Sequence, residues 1–354
     1  MGEGRGHASR ARTMAECLRH QHRVVIYTSF DALEFLKPLY GDGQVPNVEV
    51  RETDGLIMEY TRDRLDLVKT VTRGLRLRWN LHKTVDRLCE DFERDRPDIV
   101  VTDFEPTVPR AAHRCGVPVM SFDHQHFILA YDLGRLPLKL RSYAWLMHPF
   151  VKMFGLRQQK TVVSAFYFPP LRKGYKDVAQ VGPLLRPLVR KTNPTVGDHI
   201  LSYFRRHTPD RVVNLLEGID HPVRIYGLGE RPARANLTFC PIHEENFVRD
   251  LASARAVIGA AGNQLSGETL YFGKPFLAIP ERNHHEQCIN AWFVKDLGGG
   301  DWKLIERIKK VDVLRFLDEM ETYRKNLRNS PHHFDGTDDA QREIEAFLRD
   351  GLAR

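Results

Sequence analysis

Glu268, Glu286, Gln287 and Asn290 lie within one stretch, GAAGNQLSGETLYFGKPFLAIPERNHHEQCINAWF (259–293). A strand predicted over 254–260 runs into Ala260, Ala261 and Gly262, small residues that let a ligand approach the backbone closely. The helix predicted to start at Asn263 or Gln264 turns its free N–H groups and positive dipole end toward that point, a setting suited to phosphate. Glu268, about one turn further on, can accept hydrogen bonds from sugar hydroxyls. Glu286 and Asn290 stand four apart on one helix face. Such acceptors and donors beside a phosphate-binding helix describe a nucleotide-sugar pocket. Gly273-Lys274-Pro275 between them reads as an ordinary turn without chemistry.

Other candidates are scattered. GEGRGHASRAR (2–12) combines glycines, among them Gly4 and Gly6, with His7 and a run able to start a helix. It is either a working loop or a frayed, charged segment. If His7 sits at the helix N-terminus, the dipole disfavours imidazolium and keeps the ring able to accept a proton. TDFEP (102–106) and FDHQH (122–126) follow predicted strand ends, which makes Asp103 and Asp123 candidates to orient His7 or to act as bases, with His124 lining an acceptor site. The H-x-H spacing of His124 and His126 also fits a metal site, although a loop histidine satisfied by its surroundings explains it as well. YGLGE (226–230) brings Gly227 to a strand end, as a diphosphate contact or a plain turn.

These residues need a scaffold of parallel strands and crossover helices. RVVIYTS (23–29), DIVVTD (98–103), VPVMSFD (117–123) and TVVSAFYF (161–168) read as strands buried on both faces, with helices at 8–20, 63–94 and 106–115. After GPLLRPLVRKTNPTVGDH (182–199) the alternation restarts, with strands at 199–204, 222–227, 236–240, 254–260 and 274–280. Helices are predicted at 208–217, 244–252, 264–272, 285–297 and 310–322, with a last one at 338–350. The expected organisation is a first α/β domain over 1–185, a linker over 186–198, a second domain over 199–335 and a C-terminal helix over 336–354. Two open sheets imply a cleft at the carboxyl ends of their strands.

The 354 residues suit two domains, and 42% hydrophobic with 28% charged residues describes a folded globular chain. Five cysteines without a C-x-x-C pair argue against a disulfide frame or structural zinc. No apolar run is long enough to span a membrane, there is no signal peptide, and Gly6 breaks the myristoylation pattern. A cytoplasmic location with reduced thiols follows. The net charge of +7 suits an anionic ligand or surface; the spread of basic residues and the lack of a zinc-finger or RNA-binding signature argue against nucleic acid. RLPLKLRSYAWLMHPFVKMFGLRQQK (135–160) interleaves large apolar residues with Lys and Arg. It reads as a buried amphipathic helix pair or as a peripheral contact on the inner face of an anionic membrane.

The 259–293 stretch resembles the donor-binding half of GT-B glycosyltransferases, and is most similar to the N-acetylglucosaminyltransferase of peptidoglycan synthesis and related UDP-glycosyltransferases. The shared pattern is Ala261-Gly262, Glu268 six residues on, Gly273-Lys274-Pro275, Glu286-Gln287 and Asn290-Ala291. The resemblance implies two Rossmann-like doubly wound domains. It also implies pyrophosphate contact at Gly262 and Asn263; the family often has Thr or Ser two or three residues after the glycine, where this chain departs with Asn263-Gln264-Leu265 and offers Ser266 as the replacement hydroxyl. Glu268 is implied at the ribose, Glu286 and Gln287 at the transferred sugar, and Ile242 in CPIHEENF (240–247) at the base. GEGRGH resembles the family's glycine-rich loop after the first strand, which makes His7 the implied base toward an acceptor hydroxyl, with Gly4 and Gly6 as a hinge. Only Met1 precedes it here, so the expectation is a downstream start, a truncation or a sheet that closes differently. Asp103-Phe104-Glu105 loosely matches the D-x-D metal motif of the other transferase fold, whereas the matched motif implies no catalytic metal and no cofactor beyond a UDP-linked donor as co-substrate. The implied activity is inverting transfer to a lipid, glycan or natural product. The rivals are a nucleotide-sugar 2-epimerase of the same fold and a non-catalytic sugar-nucleotide or membrane-binding protein.

Overall fold

The computed structural model describes residues 5–43, 45–55, 60–61, 64–65, 67–154, 158–206 and 208–352. Contacts divide the chain into two units: residues 1–59, 66–186 and 335–354 form unit 1, and residues 60–65 and 187–334 form unit 2. The last segment therefore returns to unit 1.

In unit 1, α1 (Arg5–Leu18) precedes β1 (Val24–Thr28), α2 (Phe30–Tyr40) and β2 (Val48–Glu52). The chain then passes through residues 60–65, which belong to unit 2 and form a short antiparallel pair, β3 (Tyr60–Thr61) and β4 (Arg64–Leu65), before α3 (Leu67–Asp95) of unit 1. Then follow β5 (Val100–Thr102), α4 (Val108–Arg114), β6 (Val119–Asp123), α5 (Phe127–Ala130), α6 (Leu138–Phe154), β7 (Lys160–Ser164) and β8 (Ala179–Val181). The strands form two separate parallel ladders, β1-β2 and β5-β6-β7-β8, with no bond between them among the described residues. Burial follows that split. β6 is buried at every position, as a central parallel strand must be, whereas β1 is only half-buried over four of its five residues.

Helix α1 straddles both ladders. Ala8 and Ala15 pack with Leu36 and Val48 beside β1 and β2, while Met14 and Leu18 reach the cluster of Met120, Phe122 and Val162 in the other ladder. On that cluster also sit Ala340, Ile344 and Phe347 from the C-terminal helix of Thr337–Leu352. Val85, Leu88 and Phe92 of α3 cover Val100 and Val119, with Tyr27 of β1 packed against the same group.

The larger segment of unit 2 opens with α7 (Pro187–Lys191), within the stretch read as a linker, and continues with β9 (Ile200–Tyr203), α8 (Asp210–Asn214), β10 (Val223–Tyr226), β11 (Leu237–Cys240), α9 (Glu244–Ser253) and β12 (Ala256–Gly259). Next come α10 (Asn263–Tyr271), β13 (Phe276–Ala278), α11 (His285–Asp296), β14 (Gly300–Trp302), α12 (Lys310–Asp318) and α13 (Met320–Arg328), before the final helix α14 (Thr337–Leu352) closes the chain on unit 1. The main sheet of unit 2 has six strands, all parallel, in the order β11-β10-β9-β12-β13-β14. In chain order that is 3-2-1-4-5-6, so the strand order reverses between β9 and β12. No described helix is long and apolar enough to cross a membrane.

Candidate active site

Because the unit 2 strands are parallel, every loop after a strand emerges at one edge of the sheet, and the order reversal between β9 and β12 opens that edge to a ligand. The chain is tightest there. An added Cβ on Gly259 would lie 2.5 Å from the Tyr203 carbonyl oxygen. Gly227, at φ +91°, would place one 1.8 Å from the Phe204 carbonyl oxygen, so the fold itself demands glycine at that position. Gly262 differs. Its φ of −70° suits any residue, and a Cβ there would meet nothing within 4 Å. Packing does not require this glycine, and its bareness keeps a hollow open at the α10 N-terminus.

Around that hollow, Asn263 is 5% exposed, Ser266 0% and Glu268 1%. Gln264 Nε2 donates to Glu268 Oε1 at 2.8 Å, which fixes the carboxylate on the helix. The Ser266 hydroxyl is buried with no hydrogen-bond partner in the protein. Glu286 lies half-buried in the first turn of α11. Ile242 stands 37% exposed in the loop after β11.

Two expected ligand contacts have become braces. Gln287 is 1% exposed; its Oε1 accepts from the Glu281 N–H at 2.8 Å and its Nε2 donates to Glu281 Oε2 at 3.2 Å. Its amide thus holds the loop after β13 rather than facing open space. Asn290, fully buried, donates from Nδ2 to the Ala261 carbonyl at 3.1 Å and clamps α11 to the loop after β12. Sequence reasoning missed Arg205, just beyond β9, which pairs with Glu281 at 3.4 Å and brings a cation to the same sheet edge. His284, also missed, accepts from the Gln287 N–H as the N-cap of α11. Burial, then Arg205, keep its pKa below the ordinary histidine value.

In unit 1 the fold brings His7 and Asp103 together across 96 residues, with His7 Nδ1 2.9 Å from Asp103 Oδ2. Arg10, one turn on in α1 and only 4% exposed, grips the same carboxylate, from Nε at 3.0 Å and from a terminal nitrogen at 2.9 Å. That terminal nitrogen is also 3.0 Å from His7 Nδ1. Burial pushes the Asp103 carboxyl up, but Arg10 and His7 outweigh it and hold the group well below the usual carboxylate range. An ionised Asp103 can only accept, so in the tautomer with the proton on Nδ1 the ring donates to it and Nε2 keeps its lone pair, with the Arg10 guanidinium, a donor only, beside the same Nδ1. Burial, reinforced by Arg10, keeps the His7 pKa below its ordinary value against the pull of Asp103, so the ring is neutral at pH 7. Behind Asp103, Phe104 takes a left-handed φ of 52° and is held by packing on His126 and Phe150; such backbone persists only where its surroundings over-determine it.

Three expectations change here, at Gly6, Asp123 and His124. Gly6 is part of α1, which begins at Arg5 rather than residue 8, so it is a helical glycine and not a hinge. Gly4 lies outside the described residues. Asp123 is fully buried and does not orient His7; it accepts from Ser121 Oγ at 2.7 Å and from His126 through both Nδ1 (2.6 Å) and the backbone N–H (2.8 Å), so no acceptor can reach it. Burial pushes its carboxyl up, but His126 and these bonds outweigh that and hold it ionised. His124, also fully buried, lies 3.0 Å from the Ser164 carbonyl and packs on Phe127 and Tyr167, which makes it core rather than acceptor lining. Glu105, in turn, accepts from the backbone N–H groups of Thr107 and Val108 at 2.8 and 2.7 Å and thereby caps α4. Among the described residues, no group of three His, Cys, Asp or Glu side chains is arranged to hold a metal ion.

A sequence profile described as glycosyl transferase family 1 matches residues 1–321. An uncharacterized glycosyltransferase of Methanosarcina acetivorans is 24% identical over 356 residues, spanning 92% of this chain and 90% of the relative. Among solved structures, Arabidopsis thaliana UGT89C1 in complex with UDP superposes with a TM-score of 0.66 at 14% identity, covering 97% of this chain and 96% of that one. Acinetobacter baumannii MurG gives a TM-score of 0.59 at 15% identity, covering 98% and 97%.

Proposed function

The chain belongs to glycosyl transferase family 1 and has the GT-B fold, and from that premise we propose that it moves a sugar from a UDP-linked donor to an acceptor hydroxyl with inversion and without a metal. The observation that carries the reading is the hollow at Gly262, kept open at the point where the sheet order reverses, with Glu268 buried one turn along α10. The diphosphate would meet the free N–H groups of α10, the ribose hydroxyls Glu268, and the sugar Glu286. Arg205 and Ser266 supply a cation and an unengaged hydroxyl at the same edge. The nucleotide sugar is a co-substrate, and the solved neighbour holding UDP supports the choice of nucleotide.

His7 Nε2 takes the acceptor proton while Asp103 steadies the imidazolium that forms. The acceptor oxygen bonds to the anomeric carbon, the bond from that carbon to the diphosphate breaks, and its electron pair leaves on the diphosphate oxygen. The dipole of α10 and Arg205 stabilise that charge electrostatically. The acceptor is a lipid, glycan or natural-product hydroxyl. A thermal-shift series with UDP, GDP, TDP and their sugars tests the donor site: UDP ligands should raise the Tm, and no shift with any nucleotide would overturn the reading. Incubation with UDP-GlcNAc alone separates transfer from 2-epimerisation, which needs no acceptor.

A further inference from the structure

We propose that α6 seats unit 1 on an anionic lipid bilayer, lying in its surface. The helix buries Leu140, Ala144 and Val151 on one side, at helical spacing. Its other side shows Leu138, Ser142, Trp145, Pro149 and Met153, the i, i+4, i+7, i+11 and i+15 positions of one stripe. Leu138 is 79% exposed, Trp145 78%, Met153 55% and neighbouring Leu146 53%, a concentration of bare apolar side chains found nowhere else in the described residues. Soluble surfaces scatter such residues singly; a contiguous stripe marks a contact.

The charges say what kind of contact. Lys152 and Arg141 border the stripe on one side and Lys139 on the other, all exposed. Lys139 lies along the Tyr143 ring, with Nζ 5.8 Å from its centroid. Long cationic side chains flanking an apolar stripe reach past it toward headgroup phosphates, and a tryptophan within the stripe suits the boundary between headgroups and chains. From residue 133 to residue 176 the chain has nine Lys and Arg and no Asp or Glu. A protein partner would need matching acidic side chains; a sheet of anionic lipid supplies the complement everywhere. Beside the stripe a cavity of about 500 Å³ has Leu138, Ala144 and Trp145 for apolar walls and Arg141 and Arg172 for cations. Asp132, which also lines it, accepts from the Gly134 N–H at 2.9 Å. Apolar walls under two guanidinium groups suit an anionic phospholipid entering headgroup-last.

The inference does not depend on the transfer reaction and is measured without donor. Flotation of the full chain with phosphatidylcholine vesicles, with and without phosphatidylglycerol, should show at least ~10-fold stronger partition onto the anionic vesicles, weakening with added salt. Trp145→Ser with Met153→Ser should cut that binding ~10-fold or more, and Lys139→Glu with Arg141→Glu should abolish the preference. All four positions are exposed, so the Tm and its shift with UDP should stay as in the parent chain. Equal or absent binding to both vesicle types would overturn the proposal. So would anionic binding indifferent to the Trp145 and Met153 changes, or a lipid-free dimer that these changes dissolve, which would assign the stripe to a second copy of the chain.

Discussion

Replacing Asp103 by Asn keeps the shape of the His7 site but removes the charge that makes the imidazolium bearable. When His7 takes a proton, a positive ring stands 2.9 Å from the Asp103 oxygen and 3.0 Å from an Arg10 nitrogen. At an effective dielectric of about 20, each contact is worth about 6 kcal/mol, one attractive and one repulsive, so in the parent chain they nearly cancel. Asp103→Asn removes only the attraction. Residual screening at side chains 13–15% exposed, and the hydrogen bond Asn still accepts, reduce the effect to a fall in kcat of about 10²–10⁴. The acidic limb of the pH–rate profile should also move to lower pH, because the neighbouring guanidinium disfavours the protonated ring. Donor affinity should not change. The decisive variant is the double one: Arg10→Gln in the Asp103→Asn background removes the repulsion as well and should recover part of the lost rate. The assay is UDP release from the best-stabilising UDP-sugar with an acceptor panel, beside the Tm and donor Kd of each variant. A folded Asp103→Asn variant with kcat within about threefold of the parent would refute the argument; so would a double variant slower than the single one.

Two further outcomes follow from the same structure. Glu268→Ala should weaken UDP-sugar binding by roughly 10- to 100-fold, the size of one or two charge-assisted hydrogen bonds, while His7→Ala leaves binding intact and removes turnover; calorimetric Kd values that fall equally in both would contradict the division of roles. Lys274 is 1% exposed, its Nζ donates to the Thr195 carbonyl, and burial together with Arg324 pulls its pKa down to about 8. Between pH 8 and its unfolded value near 10.4 the unfolded chain holds more protons, so the parent protein should gain stability over Lys274→Met as pH rises through that window, by at most about 3 kcal/mol. Urea midpoints at pH 7 and pH 10 measure it, and a constant difference would show that Lys274 is not buried as a cation.

Strands buried on both faces were legible because they read as unbroken apolar runs; β6 and β12 are examples, only trimmed at their ends by the structure. The donor loop was legible for a related reason, since small residues between a strand and a helix have few other uses. What escaped was what needs the third dimension or lacks a pattern. Helix α2 contains Pro38, which reads as a break, and β2 alternates valine with charged residues as a half-exposed strand does. The helix expected over 310–322 is two, α12 and α13, meeting at Glu319. Asp103 was named as a partner for His7 on the strength of a strand end, but Arg10 was not, because nothing local signals a guanidinium that answers a carboxylate 93 residues away. His124 and Asp123 follow a strand end just as Asp103 does, and only burial tells core from site.

The two ladders of unit 1 carry a consequence for how that unit opens. Among the described residues, strand pairing joins β1 only to β2 and β5 only to β6, so what ties one ladder to the other is side-chain contact through α1 and α3, by packing and by the pairs of Tyr27 and Arg51 with Asp91 and Asp95. Amide exchange should therefore resolve two cooperative blocks, with Val24–Thr28 and Val48–Glu52 exchanging through an opening that leaves Val119–Asp123 protected. The His7–Asp103 contact spans that seam, with His7 on α1 and Asp103 at the end of β5. A ligand that presses His7 onto Asp103 would slow exchange in the smaller block first.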